Sequence, residues 1–148
     1  MTIEDLVRRG SVQRVPVDER AVERLMDDAQ RHLATASGAY EAEDLAGAFQ
    51  LGYDAARKSL TALSLARGLR TRGEGAHATL IEVIELEYSS VPGRDVVTKL
   101  DRLRRTRNRA EYAGHWFDSK EVVSGLETAR AIVLWAQQAL DASTRSKQ

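Results

Sequence analysis

The sequence predicts an all-α protein, an antiparallel bundle of four or five helices. Three observations predict it. Apolar residues recur every three or four positions in four separate stretches, the spacing of one face of a helix. No stretch shows sustained period-two alternation, so no sheet is expected. The stretches are joined by short breaks, which favour antiparallel neighbours. A chain of 148 residues fits one domain and can bury a real core. We divide it into an N-terminal segment (1–17), a helical bundle domain (18–142) and a polar tail (143–148) that is expected to fray.

Thr2 to Arg9 reads as a short amphipathic element closed by Gly10. Val15-Pro16-Val17 reads as extended, because proline biases its predecessor away from helix. Asp18 then caps a first long helix with the stripe Val22, Leu25, Met26, Ala29, Leu33 and Ala36, ending near Ser37-Gly38. The second helix runs from about Glu41 to Leu69. One face carries Leu45, Phe49, Ala56, Leu60 and Leu63, and another carries Ala48, Leu51, Ala55, Ala62 and Leu65. A helix apolar on two faces belongs at the centre, with neighbours on both sides. Gly52 costs about 1 kcal/mol against alanine in mid-helix, and its expected use is the close approach of another helix.

Arg70 to Gly75 is the clearest loop. His77 to Tyr88 is a shorter third helix, broken by Ser89-Ser90-Val91-Pro92-Gly93. The fourth spans about Asp95 to Ala113, with Gly114 as its C-cap. Asp118 with Glu121 makes a capping-box-like start for the fifth, which steps Val122, Leu126, Ala129, Val133, Ala136 and Leu140.

Composition excludes several function classes. Lys plus Arg and Asp plus Glu number 22 each, so no global field argues for nucleic acid. There are no cysteines, which excludes disulfides and thiolate metal sites. Met1 to Leu6 carries Glu4 and Asp5 and leads into no long apolar run, so no secretory signal is expected. No stretch approaches the ~18 apolar residues of a membrane helix. A cytoplasmic protein without membrane contact is the expectation.

The chemistry concentrates in the fourth helix. Its inward line steps through Val96, Leu100 and Leu103 to Ala110 and Gly114, and the position that completes the rhythm is Arg107. A permanently charged guanidinium on that line is costly unless carboxylates, carbonyls or an anion meet it. At about 100° per residue, Arg104, Asn108, Glu111 and Tyr112 fall within roughly 140° of Arg107. Arg102, Arg105 and Arg109 fall largely on the far side, where a solvated basic face accounts for them. Two readings of Arg107 stay open: an anion site, or a structural cation paired with Glu111 or with an acid of the second helix such as Asp54.

The segment Arg107-Asn108-Arg109-Ala110-Glu111-Tyr112-Ala113-Gly114 resembles the signature of the HEPN superfamily. These are small α-helical bundles of toxin–antitoxin, CRISPR-associated and phage-defence proteins. The stretches Gly52-Tyr53-Asp54-Ala55-Ala56-Arg57-Lys58-Ser59-Leu60 and Gly75-Ala76-His77-Ala78-Thr79-Leu80 are similar to the family too. The family signature has an arginine, usually followed by Asn, Asp or His, then a histidine four to six residues on. Here Tyr112 stands at that position, giving an Arg-Asn-x-x-x-Tyr variant. Pairing Arg109 with His115 restores the formal pattern, but Arg109 points roughly 160° from Arg107 at helical spacing and His115 lies beyond the Gly114 cap.

The resemblance implies a metal-independent endoribonuclease of toxin or defence type, without cofactor and without metal. It implies Arg107, Asn108 and Tyr112 as catalytic residues; Arg104 and Glu111, by their place on the same flank, and His115 beyond the cap are the candidate RNA- or anion-binding ones. It also implies a homodimer with the two motifs at its cleft, and RNA and an antitoxin or nucleotidyltransferase-like protein as partners. A tyrosine with a pKa near 10 is a poor base at neutral pH. The alternative is therefore a non-catalytic module that binds RNA, a nucleotide or a partner protein.

The remaining candidates have plainer readings. His32 lies by the apolar stripe of the first helix as a packed or boundary residue. His77, at a helix start, either belongs to the cap region or lines the cleft. The three histidines form no metal motif. Trp116 and Phe117 either cover the bundle end or a dimer seam, or stack a base. Gly73-Glu74-Gly75 lacks the lysine of a phosphate-binding loop.

Overall fold

Three of the long helices begin at an aspartate. Asp18 accepts the Ala21 amide at 3.2 Å, Asp44 the Gly47 amide at 2.9 Å and Asp118 the Glu121 amide at 2.7 Å. Each cap satisfies an amide the helix itself leaves free and contributes about 1 kcal/mol. The computed structural model describes residues 1–146, and the elements run α1 (Ile3–Arg8), β1 (Val12–Arg14), α2 (Glu19–Glu41), α3 (Leu45–Ala66), β2 (Leu69–Thr71), α4 (Ala76–Glu87), a 3-10 turn (Arg94–Thr98), α5 (Lys99–Ala113) and α6 (Ser119–Ser146).

The expected all-α bundle is present. Helix α3 is its axis, packed against α2, α4, α5 and α6. Small residues make this possible: Ala48, Ala55, Ala56, Ser59 and Ala62 of α3 are fully buried and let neighbouring backbones come close. Gly52 has the expected use, since a Cβ there would lie 2.7 Å from Leu126 Cδ2 of α6. Gly125 of α6 serves the same contact from the other side, where a Cβ would meet the Phe49 ring at 2.6 Å. The core continues through Leu60 and Leu63 of α3, Ile84 of α4, Leu100 of α5 and Ile132 and Val133 of α6.

Five expectations are corrected. A sheet does exist: β1 and β2 pair antiparallel, Val12 with Thr71 and Arg14 with Leu69. The strands are three residues each, too short to show an alternating pattern. The second helix neither starts at Glu41, which ends α2, nor reaches Leu69; it begins at Leu45, behind the Asp44 cap. It stops at Ala66, because Gly68 takes φ +69 and turns the chain into β2. The first long helix runs through Gly38 to Glu41. The fourth helix does not start at Asp95; the β-branched run Val96-Val97-Thr98 holds a tighter 3-10 turn, and α-helix begins at Lys99. The polar tail is helical as far as Ser146, and the last two residues of that expectation lie outside the described ones.

A second, smaller apolar cluster positions the functional site. Leu6 of α1, Val12 of β1, Leu69 of β2 and Val83 of α4 pack together, with Ile3 and Val7 beside them. The ribbon and α1 thus clamp the outer face of α4, whose inner face is held to the main core by Leu80 and Ile84. Helix α4 is therefore fixed from both sides, and its first turn delivers His77.

Candidate functional site

The line through α5 predicts an inward Arg107, and the structure places that guanidinium at the edge of the core. Leu103 and Leu100, one and two turns before it, are buried. Arg107 is 23% exposed. Its guanidinium carbon sits 4.8 Å from the centroid of the Tyr53 ring of α3, and Nη1 stands 3.7 Å from Glu111 Oε2. The Nε of Arg107 is buried and has no hydrogen-bond partner among the described residues; the same holds for Arg104 Nε one turn earlier. A buried N–H of a cation without an acceptor is costly. Asp54 does not pair with Arg107. It accepts a hydrogen bond from Gln50 Nε2 at 3.2 Å and faces Arg57 at 3.7 Å.

Arg107 lines a hollow of about 380 Å³ between α3, α4 and α5, with Tyr53, Asp54, Arg57 and Thr61 of α3, Thr71 of β2, and Ala76, His77 and Leu80 of α4. Two guanidiniums and one carboxylate face it, an arrangement that favours an anion. His77 is half-buried there. The Tyr53 hydroxyl lies 3.0 Å from His77 Nδ1 and also contacts Nε2. Burial pushes the His77 pKa below its ordinary 6.5, and the guanidiniums of Arg104 and Arg107 push in the same direction; Asp101 opposes them. The imidazole at this site is therefore neutral near pH 7.

The candidate residues on α5 do not all gather there. Asn108 lines a separate hollow with Arg102, Arg105, Thr106 and Arg109 on the other side of the helix. Tyr112 is 82% exposed and does not line the Arg107 hollow. Arg104 donates to Asp101 at 3.2 Å and lies close enough to His77 to act on its charge. Glu111 shares with Arg107 a third hollow lined by Phe49 and Phe117. His115 is held 2.7 Å from Glu121 Oε1 and edge-on to Phe117, past the left-handed Gly114 cap. Phe117 stacks on Phe49 at 4.7 Å and covers the bundle end, whereas Trp116 is 92% exposed. His32 is a boundary residue in contact with Lys58 Nζ at 2.7 Å.

Tyr53, Arg57 and Thr61 were not among the site residues expected from the sequence. Their spacing, i, i+4 and i+8 on one flank of α3, is the signal that finds them: a polar line down an otherwise apolar helix.

A helical bundle built round a central α3, with an arginine facing inward from α5, is the frame into which the sequence comparison falls. Residues 22–139 match the HEPN domain family. The chain belongs to the HEPN family. The matched span begins in α2 and ends in α6, so it takes in every helix that touches the hollow. No curated protein matches this HEPN chain. Among the described residues of the HEPN protein, no helix is long and apolar enough to cross a membrane, and no three His, Cys, Asp or Glu side chains are grouped to hold a metal ion.

Proposed function

We propose that this HEPN protein acts on RNA and holds a backbone phosphate in the hollow between α3, α4 and α5. The observation that carries the reading is the Arg107 guanidinium, anchored on the Tyr53 ring at the wall of the hollow with Glu111 no nearer than 3.7 Å. A phosphate supplies the acceptors, and a planar guanidinium binds it through two parallel hydrogen bonds. Arg57 adds a second cation from α3. The test is binding of a fluorescently labelled, mixed-sequence single-stranded RNA, followed by anisotropy at fixed ionic strength. Arg107→Ala and Arg57→Ala are each expected to weaken it, and unchanged affinity in both would remove the hollow from the reading.

The finer form of the proposal is a metal-independent endoribonuclease whose cleavage EDTA leaves unchanged. One observation favours the second reading, a non-catalytic module that holds RNA, a nucleotide or a partner protein. Tyr112, which stands where relatives of the same signature carry histidine, is outside the hollow. We infer also a homodimer joined through the C-terminal end of α5, supported by the two exposed aromatic rings of Tyr112 and Trp116 there.

A further inference from the structure

The proton chemistry that Tyr112 is poorly placed to supply has another source in this chain. We propose that His77 is the general base of an RNA-cleaving site and that Tyr53 is its positioning residue, with Arg107 and Arg57 holding the scissile phosphate. The proposal rests on the reading of the hollow as an RNA-phosphate site.

Three relationships carry it. His77 and Arg107 line the same hollow, although they come from different helices and are 30 positions apart in sequence. Both touch Tyr53: the hydroxyl meets the imidazole and the ring face carries the guanidinium. One buried tyrosine therefore fixes a base and a phosphate-binding cation relative to each other. Tyr53 has little freedom to move, being 2% exposed inside α3. The Tyr53 hydroxyl lies against both ring nitrogens, and a small turn of the imidazole that keeps one of them on the hydroxyl offers the other to a ligand in the hollow. The charged and titratable groups around the imidazole are Tyr53, Asp54 and Arg57 from α3 and Asp101, Arg104 and Arg107 from α5. Their cations, together with burial, keep it unprotonated at neutral pH, the state a base requires.

The step balances without a metal. The His77 ring nitrogen takes the proton of a ribose 2′-hydroxyl. The 2′-oxygen forms a bond to phosphorus while the bond from phosphorus to the 5′-oxygen breaks. The departing 5′-oxygen takes a proton from water, and His77 returns its own to solvent. The products are a 2′,3′-cyclic phosphate and a 5′-hydroxyl. The guanidiniums of Arg107 and Arg57 stabilise the charge that builds on the non-bridging oxygens.

The experiment uses the full chain with a mixed-sequence single-stranded RNA and its all-deoxy counterpart. The wild type is expected to cut the RNA, leave the deoxy strand intact and yield cyclic phosphate ends. His77→Asn should lower kcat by ~100-fold or more while leaving KM nearly unchanged, the usual loss for a general base. It should also remove the acid limb of the kcat/KM profile, which in the wild type lies below pH 6.5. Tyr53→Phe should displace that limb, an effect that a purely structural tyrosine would not have. His77→Ala, checked by its unfolding midpoint, should regain activity when imidazole is added to the buffer. A wild type that binds the RNA in an Arg107-dependent way without cutting it overturns this proposal and leaves the binding reading standing. Cleavage by His77→Asn at the wild-type rate and pH profile overturns it too. RNA binding indifferent to Arg107 and Arg57 would instead bring down the reading beneath it.

Discussion

The guanidinium of Arg107 stacks on the ring of Tyr53 at 4.8 Å, one turn of α3 before Arg57. The pair explains how a charge can sit on the inward line of α5. The aromatic face offsets part of the desolvation of the cation, and Glu111 at 3.7 Å gives only weak further compensation.

That weak compensation leads to the first prediction. Arg107→Ala should lower unfolding stability by no more than about 2 kcal/mol, the scale of a desolvated cation–π contact. RNA affinity should fall far more. Arg107→Lys should recover part of the affinity, because charge returns without the two-pronged geometry. Urea denaturation beside anisotropy checks both. A large loss of stability with little loss of binding would make Arg107 a structural cation.

Much of this was legible in the sequence. The apolar stripes of α2, α3 and α6 and the caps at Asp18 and Asp118 follow local rules, and the two helices so capped begin where those rules put them. Arg107 was legible because it interrupts a stripe. The ribbon was not, since Val12–Arg14 and Leu69–Thr71 are far apart in sequence and each owes its strand to the other. His77 was ambiguous for a similar reason. Its surroundings depend on Tyr53, which the packing of α4 against α3 brings to it. Helical angles alone put Tyr112 near Arg107, yet it lies in the last turn before the Gly114 cap, and the phenol projects into solvent.

The second prediction concerns pH. The folded pKa of His77 lies below 6.5, mainly through burial. Between that value and 6.5 the unfolded chain binds more protons than the folded one, so folding stability rises with pH across this window. The contribution is complete above 6.5 and is lost as pH falls through the folded value. His77→Asn should flatten this part of the profile. Urea midpoints measured from pH 7.5 downward, in steps of about half a pH unit, resolve the window, because a tenfold difference in proton affinity between the folded and unfolded chain is worth about 1.4 kcal/mol.

The third prediction separates two glycines at one helix contact. Alanine at Gly52 meets the Cδ2 end of Leu126, a side chain that can turn aside, and the gain of about 1 kcal/mol in helix propensity offsets the crowding. Gly52→Ala should therefore be close to neutral. Alanine at Gly125 meets the Phe49 ring at 2.6 Å, and that ring is buried and stacked on Phe117. Gly125→Ala should cost about 1–3 kcal/mol, as overpacking does. Equal effects at the two positions would contradict the rigid-ring argument.

The last prediction tests the proposed dimer with the two tryptophans of the chain. Trp135 is buried, donates its indole N–H to the Pro92 carbonyl at 2.9 Å and meets Tyr88 edge-on. Its emission should be insensitive to assembly. Trp116 is 92% exposed, three residues beyond the end of α5 and close in sequence to the exposed Tyr112. An indole in water emits at long wavelength, and burial in an interface shifts it to shorter wavelength. The difference spectrum between the wild type and Trp116→Phe isolates that residue. If the α5 ends meet in a homodimer, this difference should shift blue as concentration rises through the dissociation constant. Light scattering at tens of micromolar, well above a ~1 µM interface, should then give twice the monomer mass. Replacing Tyr112 and Trp116 together by alanine should return the protein to monomer without lowering its unfolding midpoint, since neither ring is packed in the core. A dimer that survives this double change would place the interface elsewhere, and a monomer in the wild type would remove the dimer from the proposal.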